Sequence, residues 1–575
     1  MKTNRTGKWA DSRNAGEQGL VLAAALWLAA LGAPAQTLTV LYAFSGVPSA
    51  GDGGNPAGLM QGTNGNFYVS GVNEGTNEYG AICQLKTSGA MKPLYSFKYS
   101  TDGANPSAAL VQGTNGLFYG AAQIGGTNGY GTIFNISSNG TFNSLYSFAK
   151  VKPKGTLLTN ADGATPSYAL VLGTNGNFYG TAEAGGTNGY GTVFQITHQG
   201  KMTVFYSFSN SVDGATPKAS LLQSANGILY GTTTSGGSNG YGTVFAVTAA
   251  GKVTPIYSFT NGIDGATPEA ALIKGNDGKL YGTCTAGGTN GTGTIFRITT
   301  NGILTPLYSF TAQASTYPYY NNDGASPRTL VLGADGNFYG VAYDGGQNGS
   351  GTVFQFTQGG VLNPLYSFNF VEDILEATNT DGAAPIELLQ ATDGNFYGTA
   401  YYGGTNGWGS FFRIGLPPQI TAQPVSQAVA LHGNASFTLA ATGSSGCQWQ
   451  FDNNNLPNAT NYTLSLTNVQ LTNAGYYQAI LTNANGATPS AVVTLSVTNV
   501  PLAFATGGGA LSFSGGQLSI VLTNLAGQGA IVIEASTDLM NWTPIFTNPP
   551  AFGSLDFTDP DGAAYAYRYY RALTQ

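Results

Sequence analysis

The sequence predicts an all-β protein: a seven-bladed β-propeller followed by an immunoglobulin-like β-sandwich and a second small β-sandwich. Three observations predict it. A unit of 50 to 60 residues occurs seven times, each copy holds four short apolar runs between turn residues, and the pattern changes after Pro417-Pro418. Units of this length with four strands each are typical of propeller blades, and clustered prolines mark domain junctions.

The composition limits the classes of protein and partner. At roughly 150 residues per domain, 575 residues correspond to about four domains, and 42% hydrophobic residues are enough for packed cores. Only 8% of the residues are charged, against about 25% in ordinary proteins, and the formal net charge is −7. This charge balance disfavours nucleic acids and anionic membranes as partners.

Residues 1–35 have the form of a secretory signal peptide. Four basic residues precede the apolar run 20–31, and Ala33-Pro34-Ala35 is a typical cleavage pattern. The apolar run of 12 residues is too short to cross a bilayer as a helix. We therefore expect a secreted or cell-surface protein without a membrane span after cleavage.

Each of the seven units opens with an Asp-Gly pair. In unit three the four predicted strands are residues 169–173, 177–182, 191–197 and 204–208. Asn175-Gly176 between the first two predicts a two-residue type I′ hairpin. The opening residues of the units are Asp52, Asp102, Asp162, Asp213, Asp264, Asp323 and Asp381.

The two ends of the repeat region, residues 37–415, suggest how the array closes. The Leu-Tyr-x-Phe strand occurs at 41–44, before the first Asp-Gly, whereas unit seven stops at Ile414 without its own copy. We expect the N-terminal strand to pair with the last unit, which would close the array and remove exposed strand edges.

The repeats resemble a known family. The clearest copy, FYGTAEAGGTNGYGTVFQIT at 178–197, is similar to the GloVer-type glycine-rich tandem repeats of large exported bacterial proteins. The resemblance implies export and a repeat scaffold, and the paired glycines imply a kelch-like propeller. It implies no particular activity. Unit one departs most from the pattern, with Glu74-Gly75 in place of the glycine pair.

Residues 419–498 resemble an immunoglobulin-like domain. Trp449 matches the core tryptophan, and the segment Asn473 to Tyr477 matches the tyrosine-corner motif. Ala441 and Ala479 stand where that fold has its disulfide, so packing alone should hold the sheets.

Residues 500–575 contain short alternating runs that suggest the second small β-sandwich. They resemble a C-terminal module of exported bacterial proteins. Two roles remain open for this segment. It could sort or anchor the protein, or it could be a plain structural spacer.

The three cysteines, Cys83, Cys284 and Cys447, are odd in number and lie in different segments. We interpret them as small buried hydrophobic residues rather than disulfide partners.

The predicted ligand surface is the face that carries the Asp-Gly loops and the GGTNGYG loops. The connections before Asp162, Asp323 and Asp381 are longer than the others and share this face. Exposed aromatic rings beside Asn and Asp favour neutral polysaccharides, although these tyrosines could equally pack their own loops. The candidates are Tyr130, Tyr190, Tyr241 and Trp408 in the glycine loops, Tyr317, Tyr319 and Tyr320 in the second insert, and Glu372, Asp373 and Glu376 in the third.

The seven opening aspartates have two interpretations. An Asp before Gly commonly caps a turn with its side chain. The same carboxylates could be calcium ligands, but each unit supplies only one, and calcium prefers about six to eight oxygens.

Catalysis has weaker support in the sequence. With only His198 and His432, neither a Ser-His-Asp triad nor a histidine zinc site can be assembled, so no catalytic residue, metal or cofactor is assigned. A glycoside hydrolase needs only two carboxylates. The candidates for that role are Glu372, Asp373, Glu376, Glu183 and Asp344. The alternative interpretation is that these are solvated surface residues without a catalytic role.

The resulting hypothesis is an exported, monomeric, non-catalytic binding or adhesion protein whose propeller face binds a polysaccharide or a surface protein. The alternative is a carbohydrate-active enzyme, a hydrolase or lyase, that uses carboxylates on the same face. A structural surface-layer protein is the third interpretation.

Overall fold

The computed structural model describes residues 37–248, 250–371, 378–483, 485–498, 502–507, 510–515, 517–527 and 529–575. The predicted signal peptide lies outside the described residues. The described chain is all-β, apart from three single-turn 3-10 helices at Pro48–Ala50, Leu471–Asn473 and Gly562–Ala564. None of the helices in this part of the chain is long and apolar enough to span a bilayer.

The repeat region begins with β1 (Leu38–Ala43) and continues with four strands in each of units one to six and three in unit seven. Units one and two contain β2 (Gly54–Gln61), β3 (Phe67–Asn73), β4 (Ala81–Leu85), β5 (Met91–Ser96), β6 (Val111–Gln112), β7 (Phe118–Ala122), β8 (Thr132–Ile136) and β9 (Phe142–Ser147). The insert before unit three forms a hairpin of β10 (Lys152–Lys154) and β11 (Leu157–Thr159). Units three and four contain β12 (Val171–Leu172), β13 (Phe178–Ala182), β14 (Thr192–Ile196), β15 (Met202–Ser207), β16 (Leu222–Gln223), β17 (Leu229–Thr233), β18 (Thr243–Val247) and β19 (Val253–Ser258).

The last three units follow the same pattern. They contain β20 (Ile273–Lys274), β21 (Leu280–Cys284), β22 (Thr294–Ile298), β23 (Leu304–Ser309), β24 (Ala325–Leu332), β25 (Phe338–Asp344), β26 (Thr352–Phe356), β27 (Leu362–Ser367), β28 (Ala383–Gln390), β29 (Phe396–Tyr402) and β30 (Ser410–Ile414). The second and third strands of each unit are buried almost throughout, because neighbouring units pack against both of their faces.

A difference of one residue sets the length of the first strand in each unit. Units one, six and seven have six positions from the Asp-Gly-x-x-Pro proline to the hairpin and form eight-residue strands with a bulge. Units two to five have seven positions in this segment, and only two residues of the first strand pair with the second strand.

The hairpin between the first two strands differs from the predicted type I′ turn. In unit three, Gly173 N donates to Asn177 O at 2.8 Å, which closes a three-residue loop. Only Gly176 has a positive φ, at 79°, whereas type I′ needs positive φ at both central residues. The side chain of Asn175 accepts a hydrogen bond from Asn177 N at 3.1 Å, which stabilises the longer loop.

The predicted fold class, a seven-bladed β-propeller with two sandwiches, is corrected to an all-β fold of many small four-stranded antiparallel sheets. In the described residues no sheet closes on itself; each repeat sheet runs from one edge strand to another, so the edges are not removed as expected. The physical reason is that alternating strands and tight turns specify one meander at a time, and nothing within a unit specifies a closed sheet.

The predicted partner of the N-terminal strand is confirmed. β1 pairs antiparallel with β30, with Leu38 opposite Ile414 and Ala43 opposite Ser410. The last repeat sheet therefore has the order β1-β30-β29-β28, and its outer strand comes from the start of the described chain.

One backbone hydrogen bond recurs at every junction between units. Thr216 N of unit four donates to Tyr190 O of unit three at 3.0 Å. The same bond joins unit one to unit seven, from Asn55 N to Trp408 O at 2.8 Å, so these two units are neighbours. The other five bonds are Asn105–Tyr79, Thr165–Tyr130, Thr267–Tyr241, Ser326–Thr292 and Ala384–Ser350.

Residues 419–498 form a six-stranded sheet and two short strand pairs around one apolar core. Trp449 is fully buried, and Tyr477 OH donates to Asn473 O at 2.8 Å, as the tyrosine-corner motif predicts. The strands are β31 (Gln419–Ala422), β32 (Gln427–Ala430), β33 (Ala435–Thr438), β34 (Ala440–Thr442), β35 (Gly446–Phe451), β36 (Asn454–Asn455), β37 (Thr463–Leu466), β38 (Gly475–Asn483), β39 (Gly486–Pro489) and β40 (Val493–Thr498).

The last segment forms two further small sheets that share a core containing Leu522, Ile533 and Phe557. Its strands are β41 (Ala503–Phe504), β42 (Leu511–Ser514), β43 (Gln517–Ala526), β44 (Ile531–Ser536), β45 (Thr543–Asn548), β46 (Phe552–Asp559) and β47 (Tyr569–Thr574). Cys83, Cys284 and Cys447 are free and buried, which confirms their interpretation as small core residues.

Candidate ligand-binding site

The seven opening aspartates hold the ends of the units together. Each is at least 95% buried and accepts a hydrogen bond from the hydroxyl of a tyrosine in the preceding Tyr-x-Phe strand. In unit three, Tyr146 OH donates to Asp162 Oδ2 at 2.6 Å, and Ala149 N donates to the same oxygen at 2.9 Å. The other pairs are Tyr42–Asp52, Tyr95–Asp102, Tyr206–Asp213, Tyr257–Asp264, Tyr308–Asp323 and Tyr366–Asp381.

The second carboxylate oxygen of these aspartates is satisfied differently from unit to unit. Asp213 Oδ1 accepts from the hydroxyls of Ser209 and Ser211 at 2.7 and 3.1 Å. In unit three the position of Ser209 is taken by Ala149, and Asp162 Oδ1 has no partner in the described structure. The described residues hold no group of three or more potential metal ligands, and the calcium interpretation stays a prediction.

Most of the aromatic residues predicted from the glycine loops pack within the fold. Tyr130 and Tyr190 are partly buried against the cores between units two and three and between units three and four. Trp408 lies over Gly46 and Gly54, where an added Cβ would come within 2.3 and 2.6 Å of the indole. Tyr241 remains 40% exposed. These residues do not come together in one site.

The second insert places its three tyrosines at the surface. Tyr317, Tyr319 and Tyr320 are each more than half exposed, and the Tyr317 ring lies 5.9 Å from Tyr319 and 5.6 Å from Phe370. Phe370 belongs to the third insert and is a residue that sequence reasoning missed. We call Tyr317, Tyr319, Tyr320 and Phe370 the insert cluster. Glu372, Asp373 and Glu376 lie outside the described residues.

One cavity, of about 590 Å³, receives residues from all seven units; we call it the seven-unit cavity. Its lining comes from two places in the repeat, of which units four and five contribute only the first. One is the segment just after the Asp-Gly-x-x-Pro proline, and the other is the end of the second strand. Five of the 22 lining residues are charged, in a chain with only 8% charged residues. They are Glu183, Lys218, Glu269, Arg328 and Glu387.

An ion pair joins two units inside the seven-unit cavity. The Arg328 guanidinium of unit six contacts the Glu269 carboxylate of unit five. The same guanidinium carbon lies 5.0 Å from the centre of the Tyr343 ring, within range of a cation–π interaction. Within the described residues, Lys218 and Glu183 form no ion pair.

Burial in the cavity changes the ionisation of its carboxyl groups. Removal from water raises the pKa of Glu387 to about 8, so the group is a neutral carboxylic acid near pH 7. Burial also raises the pKa of Asp344, next to Tyr343, although a hydrogen bond from Ser326 and the charge of Arg328 oppose the shift. Burial likewise raises the pKa of Tyr168 and Tyr343, whose hydroxyls remain protonated donors.

Sequence reasoning found this site only in part. Glu183 lines the cavity and Asp344 lies beside it, but Lys218, Glu269, Arg328, Tyr343 and Glu387 were missed. A signal was present, because the lining residues occupy positions that differ between units, whereas the Asp, Gly and Tyr of the scaffold recur. The two histidines do not line the cavity.

The repeat region matches a known protein family. The family described as the Gloeobacter/Verrucomicrobia repeat matches residues 30–164, 154–321 and 315–422, which is most of the chain. The chain belongs to the Gloeobacter/Verrucomicrobia repeat family. All seven units of this Gloeobacter/Verrucomicrobia repeat protein, and with them the seven-unit cavity, lie within the matched residues.

The solved structures similar to this Gloeobacter/Verrucomicrobia repeat protein include fragments of titin and twitchin. The titin M4 domain is 23% identical, covers 14% of this chain and 96% of its own, and has a TM-score of 0.13. The twitchin kinase region of C. elegans is 22% identical over 14% of this chain and 16% of its own, with a TM-score of 0.13. The titin I67–I69 fragment is 18% identical over 25% and 64%, with a TM-score of 0.15.

No curated protein matches the chain.

Proposed function

We propose that this is an exported, non-catalytic binding protein that holds a neutral glycan in the seven-unit cavity. The observation that carries the proposal is the lining: all seven units of an otherwise repetitive scaffold line one cavity, and units two to seven supply variable polar, charged or aromatic side chains. Ligand sites typically enclose about 300 to 1,000 Å³, and the cavity of about 590 Å³ lies in that range.

The charge of the cavity favours a neutral ligand. Arg328 is neutralised by Glu269, and Glu387 is uncharged near pH 7. The remaining charges, on Lys218 and Glu183, are opposite in sign. A phosphate or sulfate site would instead need several cationic donors that are free to pair with the anion.

The chemistry of the lining suits sugar hydroxyls. Tyr168, Tyr343, Tyr401 and Tyr402 supply phenol donors and aromatic faces, and the Glu387 carboxylic acid can both donate and accept hydrogen bonds. Aromatic faces pack against the C–H surfaces of sugars while the polar groups fix the hydroxyls.

Calorimetric titration of the mature chain with neutral cello-, manno-, xylo- and laminari-oligosaccharides tests the proposal. We expect at least one series to bind, and Tyr343→Ala to weaken its affinity by about tenfold or more. Tyr241→Ala, at an exposed tyrosine that does not line the cavity, is the matched control. The proposal fails if no series binds or if both variants bind like the wild type.

A carbohydrate-active enzyme in the same cavity is the second candidate. It is favoured by Glu387, a half-buried carboxyl group whose raised pKa of about 8 keeps it protonated near neutral pH, as a general acid must be. Glu183 and Asp344 are the candidates for the second carboxylate. Release of new reducing or unsaturated ends from polysaccharides, lost in Glu387→Gln, would establish this function, and an unchanged polysaccharide would exclude it.

We also infer secretion or display at the cell surface, which the signal-peptide pattern of residues 1–35 supports. For residues 419–498 we propose an immunoglobulin-like domain, supported by the buried Trp449 and the Tyr477–Asn473 hydrogen bond. Mass spectrometry of the exported protein tests the first inference, because the mature chain should begin at Gln36.

A further inference from the structure

We propose that the insert cluster is a second binding site, specific for the extended chain of a neutral polysaccharide. The site is formed by two loops that only the long connections before units six and seven provide. It does not depend on what occupies the seven-unit cavity.

The rings of the insert cluster are held at the surface with their flat faces unstacked. Tyr317, Tyr319 and Tyr320 are 55%, 54% and 53% exposed, and Phe370 is 40% exposed. The Tyr317 and Tyr319 rings meet edge to face at 83°, so their flat faces are not stacked on one another. An aromatic surface of this kind offers ring faces to the C–H side of several successive sugars.

The backbone under the rings is tied to unit six. Asn321, which is 7% exposed, donates to Thr311 O and Gly324 O at 2.9 and 2.7 Å, and its Oδ1 accepts from Gly346 N at 2.7 Å. Within the insert, Ala314 N donates to Tyr320 O at 2.8 Å. A loop fixed in this way loses little additional entropy when it binds a ligand.

A contact between the two inserts completes the surface. Tyr317 OH donates to Val371 O at 3.1 Å, beside Phe370. The Tyr317 side chain therefore links the second insert to the third, and the rings of Tyr317, Tyr319 and Phe370 belong to one continuous patch.

The chemistry of the second insert disfavours an acidic polymer. Residues 311–322 contain no charged residue, so they offer no cation for an acidic polysaccharide or an anionic lipid headgroup. They do carry tyrosine hydroxyls and amide side chains, which are the groups that sugar hydroxyls pair with.

The position of the cluster relative to the cavity fits a polymer ligand. Pro318 packs beside Gly349, in the glycine loop of unit six. That loop begins directly after β25, whose Tyr343 lines the seven-unit cavity. The two sites thus lie at the same end of the unit-six sheet.

Affinity electrophoresis of the full mature chain in native gels tests the proposal. The gels contain hydroxyethylcellulose, laminarin, galactomannan or xyloglucan, with alginate as the acidic comparison. We expect retardation by at least one neutral polymer and none by alginate. The variant Tyr319→Ala/Tyr320→Ala should weaken that retardation by about tenfold, whereas Tyr319→Phe/Tyr320→Phe should keep most of it because the rings remain.

Two control variants show whether retardation depends on the insert cluster itself. Tyr476→Ala removes a tyrosine that is 62% exposed in another part of the chain and should leave retardation unchanged. Tyr343→Ala should weaken oligosaccharide binding in the cavity by about tenfold or more but keep part of the retardation, so the two proposals can fail separately.

Any of three results overturns the proposal. The first is equal migration of the wild-type protein in all neutral gels and in a polymer-free gel. The second is retardation of the alanine pair as strong as that of the wild type. The third is self-association, detected by light scattering, that the alanine pair abolishes; this result would make the cluster an interface between copies of the chain.

Discussion

Replacing Tyr146 by Phe should destabilise the repeat region more than replacing Tyr206 by Phe. Both hydroxyls donate to a buried aspartate, at 2.6 Å to Asp162 and 3.0 Å to Asp213, and the two aspartates are 5% and 4% exposed. Burial and the hydrogen bond to Asp162 raise the pKa of Tyr146, so its hydroxyl remains a donor at neutral pH. The two substitutions delete the same atom in equivalent places.

The difference comes from the donors that remain. After Tyr146→Phe, Asp162 keeps only the backbone N–H of Ala149, because its Oδ1 already has no partner in the described structure. After Tyr206→Phe, Asp213 keeps four donors from Ser209 and Ser211. A hydrogen bond to a charged group contributes about 1.5–3 kcal/mol, so we expect a cost of about 3 kcal/mol in unit three and about 1 kcal/mol in unit four.

A gain-of-stability variant tests the same reasoning in the opposite direction. Ala149→Ser introduces the hydroxyl that Ser209 Oγ provides to Asp213 Oδ1 at 2.7 Å, and should stabilise the chain by about 1 kcal/mol. The assay is urea unfolding of the mature chain, with Ser209→Ala as the reciprocal variant. Equal costs for the two tyrosine variants, or destabilisation by Ala149→Ser, would refute the assignment of these energies to the carboxylate.

Three further predictions concern other parts of the structure. Burial raises the pKa of Glu387 from 4.5 to about 8, so between these pH values the folded chain binds a proton that the unfolded chain releases. The free energy of unfolding should therefore fall as the pH rises from about 4.5 to about 8. The variant Glu387→Gln should show a smaller fall in melting temperature over the same pH range. Cys83 and Cys284 are fully buried, and burial raises the pKa of both thiols, so a maleimide should label neither until the chain is unfolded in urea. Deleting residues 37–45 removes β1 and leaves β30 as an unpaired edge, which should produce aggregates in size-exclusion chromatography; a monomeric deletion variant with an unchanged melting temperature would contradict this.

The sequence was informative about local structure. Alternating apolar residues and Gly-containing turns predicted four strands in each unit, and the displaced Leu-Tyr-x-Phe strand predicted the partner of β1. Trp449 and Tyr477 occupy the buried positions that their motif indicates. These features depend on residues close in sequence or on a motif that is complete in one segment.

The features that were missed depend on contacts between units. The sequence of a single unit does not show that Arg328 forms an ion pair with Glu269, or that the Glu387 carboxyl group is desolvated. Both features depend on packing between neighbouring units. The turn at Asn175-Gly176 was also wrong, since a dipeptide pattern does not show that Gly173 and Asn177 close a longer loop. The role of the opening aspartates was partly visible, because a tyrosine precedes each of them at the same place in its strand.

The pairing of β1 with β30 has a consequence for how the chain matures. Once β1 has been synthesised, roughly 370 further residues must be made before its partner β30 exists. At about 5–20 residues per second, translation alone takes about 20 to 75 seconds, during which β1 can contact Asp52 of unit one through Tyr42 but has no strand partner. A premature stop anywhere in the later units would leave β1 permanently without its strand partner. Quality-control proteases could therefore recognise an incomplete chain by its unpaired β1 strand rather than by its truncated C-terminal end.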